Sequence, residues 1–108
     1  MLFGLEQEQV KGIQQVLASF PEVEEAIIFG SRAKGNFKTG SDIDLALKGT
    51  PLELDELLSL YNKLELLELP YTFDLVNYAS IKVPDLTMHI NRVGKVFYSK
   101  ISDKQSTV

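Results

Sequence analysis

The sequence predicts an α/β (α+β) domain with two layers, in which a mixed sheet of four or five strands carries helices mainly on one face. Three segments have apolar residues at helical spacing, and four shorter segments are rich in apolar and β-branched residues. Pro or Gly stands at most of the borders between them. The 108 residues suit a single domain spanning 1–108, with residues 101–108 as a flexible polar tail.

The first part of the chain is predicted to be a helix, a strand and a tight turn. The helix covers residues 5–20 and stops before Pro21, because a proline pushes the preceding residue out of the helical conformation. The apolar run that ends residues 23–29 is typical of a strand covered on both faces. Ser31 is then expected to be the N-cap of a short helical turn that Gly35 ends.

The second part begins with an alternating strand at residues 42–48 and continues with a long helix. Thr50 to Glu53 has the pattern of a capping box, so the helix is expected to start there and run to about Leu69. Its predicted core residues are Leu54, Leu57, Leu58, Tyr61, Leu64 and Leu67. A strand at 71–77, a helix at 84–93 and a last strand at 96–98 complete the prediction.

Composition excludes several classes of function. The net charge of −4 and a pI near 4.9 argue against general nucleic-acid binding, which needs clustered cations. The absence of cysteine removes disulfides, thiolate metal sites and cysteine nucleophiles. The first residues lack the features of a signal peptide, and no apolar run reaches transmembrane length, so a cytoplasmic location is expected.

A turn with small residues and two cations follows the first strand. Gly30 lets an anion approach the backbone closely, and the free amides of a helix start after Ser31 favour phosphate. Arg32 and Lys34 could add positive charge, although solvated loop cations are the simpler alternative. The turn is therefore a candidate nucleotide-binding site comprising Gly30, Ser31, Arg32 and Lys34.

Three aspartates are the candidate catalytic and metal-binding residues. Asp42 and Asp44 lie on one face of a strand, about 6.5–7 Å apart along it, and could instead be ordinary exposed residues. Asp74 lies within another strand, where an unpartnered charge is uncommon. Neighbouring carboxylates repel unless cations neutralise them, which indicates a Mg²⁺ site beside the phosphate turn. His89, on an apolar helix, is interpreted as structural.

The segment Gly30-Ser31-Arg32-Ala33-Lys34-Gly35, followed by Asp42-Ile43-Asp44, resembles the signature of the DNA polymerase β-like nucleotidyltransferase superfamily. The order of elements along nearly the whole chain is similar to that of minimal nucleotidyltransferase (MNT) domains, and implies their two-layer nucleotidyltransferase fold. Lys34 stands where the family often has Arg. By this resemblance Asp42, Asp44 and Asp74 would ligate two Mg²⁺ ions, with ATP as substrate, and Asp74 would help to deprotonate the attacking hydroxyl.

The resemblance also implies a biological role. MNT proteins of this length are antitoxins whose partner, encoded next to them, is a HEPN-domain ribonuclease toxin, and they transfer AMP from ATP to a tyrosine of that toxin. A protein adenylyltransferase acting in a hetero-oligomeric complex is thus the expected function. Two alternatives are a non-catalytic antitoxin that masks the toxin, and a small-molecule nucleotidyltransferase of the antibiotic-modifying type that works with a separate helical subunit.

Overall fold

The computed structural model describes residues 2–36, 38 and 40–100. In chain order the elements are α1 (Gln7–Ala18), β1 (Val23–Phe29), α2 (Gly30–Lys34), β2 (Ile43–Gly49), α3 (Leu54–Glu65), β3 (Phe73–Asn77), α4 (Pro84–Val93) and β4 (Lys95–Ser99), with a short 3-10 turn at Tyr78–Ser80. The predicted first strand and the last helix have the bounds that the sequence indicated. The predicted tail at 101–108 lies outside the described residues.

The strands of the described chain form one mixed sheet in the order β3-β2-β1-β4. β1 lies antiparallel to both β2 and β4, whereas β2 and β3 are parallel. In this register Asp44 is opposite Asp74 on one side and Phe29 on the other. The predicted mixed sheet of four or five strands is confirmed, and the parallel pair brings two of the three aspartates side by side.

The two faces of the sheet have separate apolar cores. The larger core lies beneath α1 and α3, and its fully buried members include Leu5, Ile13, Leu17, Ile28, Ile43, Leu45, Leu60 and Leu64. The smaller one lies beneath α4 and consists of Ile27, Phe29, Ala46 and Ile90. Most helical residues pack on the first face, as expected. On the second face α4 covers the central strands, and the ligand-accessible part is the edge that carries the aspartates.

Helix α3 begins later than the capping-box pattern at Thr50 predicted. Its N-cap is Glu53, which forms a reciprocal capping box with Glu56, so the first helical residue is Leu54. The residues before it are held by the sheet: the side-chain amide of Asn77 donates to the Leu52 carbonyl and accepts from the Leu52 amide, both at 2.9 Å. These bonds tie the backbone of Leu52 to the end of β3, and α3 begins only after it.

The later start goes with a different buried face of α3. Leu60 and Leu64 are fully buried, whereas Leu54 and Leu58, predicted to face the core, are 72% and 54% exposed. Leu57, Tyr61 and Leu67 pack at the edge of the larger core, as predicted. The run of leucines on this helix allows more than one apolar stripe, and packing against α1 and the sheet selects between them.

Two smaller features complete the fold. Ser31 was predicted to be the N-cap of α2, but the helix begins at Gly30 and its N-cap is Phe29, so Ser31 lies inside the first turn. Gly35 ends α2 in a left-handed conformation, as expected. Across the described ranges 2–36, 38 and 40–100, the structure contains no helix of the length and apolarity that a membrane crossing requires.

Candidate active site

The turn between β1 and α2 brings the backbone against a carboxylate. Gly30 has a φ of +73°, a conformation that side-chain-bearing residues rarely adopt. A Cβ added at this position would collide with Oδ2 of Asp44 and lie 3.3 Å from its Cγ. Only glycine therefore permits this turn to pass directly over the Asp44 side chain.

Three predicted acids lie at the same edge of the sheet. Asp44 and Asp74 are register partners on the parallel strands β2 and β3, and strands in a sheet are spaced by roughly 4.8 Å. Asp42 lies just before β2, and its carboxylate accepts a hydrogen bond from the Thr72 hydroxyl. Asp42 and Asp74 are exposed, while Asp44 is half-buried. The fold thus gathers Asp42, Asp44 and Asp74 beside the Gly30 turn.

The electrostatics of the cluster act mainly on Asp44. Its pKa is raised from 3.8 to about 6, first because burial penalises the charged carboxylate and then because Asp74 and Asp42 add like charge. Arg32 opposes this rise. A cation bound beside Asp44 would stabilise its charged form, because a positive charge offsets both the burial penalty and the like charges of the neighbouring acids.

The acids do not by themselves form a closed metal cage. Within residues 2–36, 38 and 40–100, no three His, Cys, Asp or Glu side chains converge tightly enough to hold a metal ion. The carboxylates are hard oxygen donors of the kind Mg²⁺ prefers, and Mg²⁺ is commonly held by one or two of them together with phosphate oxygens. The donor set therefore fits Mg²⁺ that arrives with a triphosphate.

Arg32 is placed differently from the other predicted phosphate contacts. It is 2% exposed, its Nε and Nη2 donate to the Ser41 carbonyl at 3.1 and 2.8 Å, and its Nη1 donates to the Phe3 carbonyl at 2.8 Å. Its guanidinium carbon lies 4.6 Å from the centroid of the Tyr71 ring. The structure thus places Arg32 as a support of the backbone next to Asp42.

The other two predicted phosphate contacts, Ser31 and Lys34, lie within α2. Ser31 is half-buried in the first turn of α2, and its carbonyl accepts hydrogen bonds from the amides of Gly35 and Asn36 at 2.9 and 3.2 Å. Lys34 is exposed at the end of α2. His89 packs edge-on against Phe29, with ring centroids 6.2 Å apart, which agrees with its structural interpretation.

Thr72 and Tyr71 lie next to the predicted site residues and were not among those that the sequence pattern indicated. Thr72 binds Asp42 through its hydroxyl, and its carbonyl accepts the Ile43 amide at 2.9 Å. In the strand predicted at 71–77, alternation puts Thr72 on the same side as Asp74, which was a usable signal. The parallel register that places Thr72 beside Asp42 was not visible, because it pairs segments 30 residues apart.

The fold of this chain is similar to that of several solved structures. A chain of a toxin–antitoxin structure with AMP-PNP superposes with a TM-score of 0.68 at 23% identity, covering 94% of this chain and 79% of the other. A chain from the complex of a tri-AMPylated Shewanella oneidensis HEPN toxin with its MNT antitoxin gives 0.67 at 23%, covering 94% and 78%. A nucleotidyltransferase-like protein of Sulfolobus solfataricus gives 0.52 at 19%, covering 90% and 92%.

At the level of sequence, none of the curated proteins matches the chain significantly. The family described as polymerase beta, nucleotidyltransferase, matches residues 11–103, which include the Gly30 turn and all three aspartates. The match spans most of the 108 residues and agrees with the fold of the structural neighbours. The chain therefore belongs to the polymerase β nucleotidyltransferase family.

Proposed function

We propose that this protein is a Mg²⁺-dependent protein adenylyltransferase that acts as an antitoxin, transferring AMP from ATP to a tyrosine of a HEPN-domain toxin. The observation that carries the proposal is the gathering of Asp42, Asp44 and Asp74 beside the Gly30 turn. This arrangement presents hard oxygen ligands next to a backbone that an anion can approach closely.

The chain's own residues have separable roles in the proposed reaction. Asp42 and Asp44 would hold Mg²⁺ with the triphosphate, and Asp74 would hold the ion nearer the acceptor and receive the hydroxyl proton. Bound Mg²⁺ would supply charge neutralisation of the attacking and leaving oxygens. The backbone of Gly30 and Ser31, with Lys34 beside it, would orient the β- and γ-phosphates. The acceptor oxygen bonds to the α-phosphorus as the bond to pyrophosphate breaks.

The partner follows from what the similar structures contain. One of them includes AMP-PNP, and another pairs an MNT antitoxin with a HEPN toxin that carries three AMP groups. These likenesses support a nucleotide substrate and a protein acceptor for this chain. The pairing also accounts for a small nucleotidyltransferase domain whose site is open at one edge of its sheet.

Incubation of the protein with radiolabelled ATP, Mg²⁺ and the HEPN protein encoded beside it tests the proposal. We expect label on the HEPN protein, removed by replacing its acceptor tyrosine with phenylalanine, and no label in EDTA. A well-formed complex in which the HEPN protein stays unlabelled would contradict the transfer.

The double variant Asp42→Asn, Asp44→Asn separates chemistry from masking. Transfer requires the carboxylates, so we expect this variant to bind the HEPN protein and yet fail to protect cells from it. Full protection by the variant would instead support an antitoxin that acts by masking. Labelling of a small molecule by the complex, with the HEPN protein left unmodified, would indicate the antibiotic-modifying type of activity.

A further inference from the structure

We infer that Arg32 is a positioning residue for the metal-binding edge: it sets the relative position of the segments that carry Asp42 and Asp74 without contacting the nucleotide. The inference deepens the proposed function and rests on it for the identity of the site. It assigns to Arg32 a task that a nearby solvated cation could not perform.

The first step is the fork of hydrogen bonds to Ser41. Both Nε and Nη2 donate to the same carbonyl, at 3.1 and 2.8 Å, so the plane of the guanidinium determines where that carbonyl lies. Ser41 directly precedes Asp42, and its own hydroxyl accepts the Lys38 amide at 2.8 Å. These hydrogen bonds fix the position of Ser41, which is the last residue of the turn before Asp42.

The second step is the contact with Tyr71. The guanidinium carbon lies 4.6 Å from the ring centroid, within the range of a cation–π interaction. Tyr71 directly precedes Thr72, whose hydroxyl binds Asp42 and whose carbonyl accepts the Ile43 amide. The Arg32 side chain thus contacts the segment that leads into β2, at Ser41, and the segment that leads into β3, at Tyr71.

The third step is the anchor that keeps Arg32 in place. Its Nη1 donates to the Phe3 carbonyl, within a tight turn closed by two hydrogen bonds between Leu2 and Leu5. The Phe3 ring lies 6.1 Å from that of Phe97 in β4. These contacts attach the guanidinium to the body of the domain, and its burial makes the bonds less exposed to competition from water.

Lysine cannot reproduce this arrangement. An ammonium group is a point charge without the planar fork, so it cannot donate twice to one carbonyl while also stacking on Tyr71 and reaching Phe3. Arg32→Lys therefore preserves the charge near the site and removes the positioning. The other arginine of the chain, Arg92, is exposed on α4, and Arg92→Lys is the matched control.

Two measurements on the protein without any partner test the inference. Hydrogen exchange of the Ile43 amide reports the junction between β2 and β3, and amides in the pairing of β1 with β2 report global stability. Mn²⁺ titration of the free protein reports the metal-binding edge. For Arg32→Lys we expect roughly a tenfold loss of protection at Ile43 beyond any global change, and Mn²⁺ affinity about tenfold weaker, as when the support of a metal ligand is removed.

The transfer reaction distinguishes positioning from phosphate binding. Positioning predicts a higher half-saturating Mn²⁺ concentration and a lower kcat, with the KM for ATP little changed. A raised KM with unchanged Mn²⁺ dependence would overturn the inference, because it would indicate a direct phosphate contact. The inference would also be overturned if Arg32→Lys and Arg92→Lys showed the same protection of the Ile43 amide and the same affinity for Mn²⁺.

A second variant decides the matter if Arg32→Lys fails to fold. Tyr71→Leu removes the stacked ring, whereas Tyr71→Phe retains it, so only the leucine variant should weaken Ile43 protection and Mn²⁺ affinity. Equal behaviour of the two would contradict the inference. Because both measurements use the free protein, they remain decisive if no transfer to a HEPN protein is found, an outcome that counts against the proposed function alone.

Discussion

At the scale of single residues, the site depends on a close approach between a backbone and an acid. Gly30 passes over Asp44 because it lacks a Cβ, and Asp44 is correspondingly desolvated and close to two further carboxylates. Burial of the carboxylate, followed by the like charges of Asp74 and Asp42, raises the pKa of Asp44 to about 6. The residue beneath the Gly30 turn is therefore also the acid of the cluster whose charged form is disfavoured.

Gly30→Ala should abolish activity beyond its effect on folding. The left-handed backbone costs an alanine roughly 1–2 kcal/mol, and the Cβ must also displace Asp44. Gly35→Ala is the matched control, because Gly35 has a φ of +85° but nothing within 4 Å of an added Cβ. We expect both variants to lower the free energy of unfolding, and only Gly30→Ala to lose about 100-fold or more in transfer rate. Equal rates would contradict the close-approach argument.

The raised pKa of Asp44 predicts a pH-dependent stability of the metal-free protein. Between pH 4 and 6 the folded state holds a proton on Asp44 that the unfolded chain releases near 3.8, so this residue's contribution to stability declines as pH rises through that window. Asp44→Asn lacks this decline. In EDTA, we expect the Tm of the variant to gain on the wild type between pH 4.5 and 7. A constant difference between the two Tm values would show that the carboxylate is not strained by its neighbours.

At the scale of elements, helix α3 shows how tertiary contacts choose among several apolar stripes. Its leucines could face the core in more than one phase, and the structure buries Leu60 and Leu64 while exposing Leu54 and Leu58. The side chain of Asn77 binds the backbone amide and carbonyl of Leu52 just before the helix starts. The start of α3 and its buried face are thus decided together by packing on the sheet.

This assignment predicts contrasting effects for two leucines on the same helix. Leu60→Ala should lower the free energy of unfolding by about 2–5 kcal/mol, because it leaves a cavity in the larger core. Leu58→Ala, at a position 54% exposed, should change it by no more than about 0.5 kcal/mol. Urea unfolding of the two variants measures the difference. Similar losses of unfolding free energy in the two variants would indicate that α3 buries the face that the sequence periodicity predicted.

At the scale of the whole molecule, the acidic edge is an open site that would need further oxygen ligands to hold a metal ion. No described triad of side chains closes around a metal ion, yet three acids from β2, its preceding turn and β3 meet beside the Gly30 turn. Ligand binding to such a site should be strongly coupled: the metal relieves repulsion between the acids, and the triphosphate completes its coordination.

Thermal unfolding with Mg²⁺ and a non-hydrolysable ATP analogue measures this coupling. Binding to the folded state alone adds about 2.7 kcal/mol of stability when the ligand is present at 100 times its Kd. We expect a rise in Tm with both ligands that exceeds the sum of their separate effects, and none in the Asp42→Asn, Asp44→Asn variant. Additive effects would indicate separate sites.

Much of this architecture could be predicted from consecutive residues. The bounds of β1 and α4, the apolar alternation of β2, and the Gly30 turn with its nearby acids are local patterns, because backbone conformation and side-chain alternation depend on neighbours in the chain. The same locality explains why Gly30, Ser31, Asp42 and Asp44 could be selected as site residues before any pairing of strands was known.

The tertiary structure alone decided what depends on remote contacts. The parallel register that sets Asp74 beside Asp44, and Thr72 beside Asp42, joins segments 30 residues apart and has no local signature. The positive charge of Arg32 is visible in the sequence, whereas its burial and its bonds to Ser41 and Phe3 follow only from the folded structure. The sequence by itself determined which chemical groups are present, and long-range packing determined which of them lie together beside the Gly30 turn and which hold the backbone around them in position.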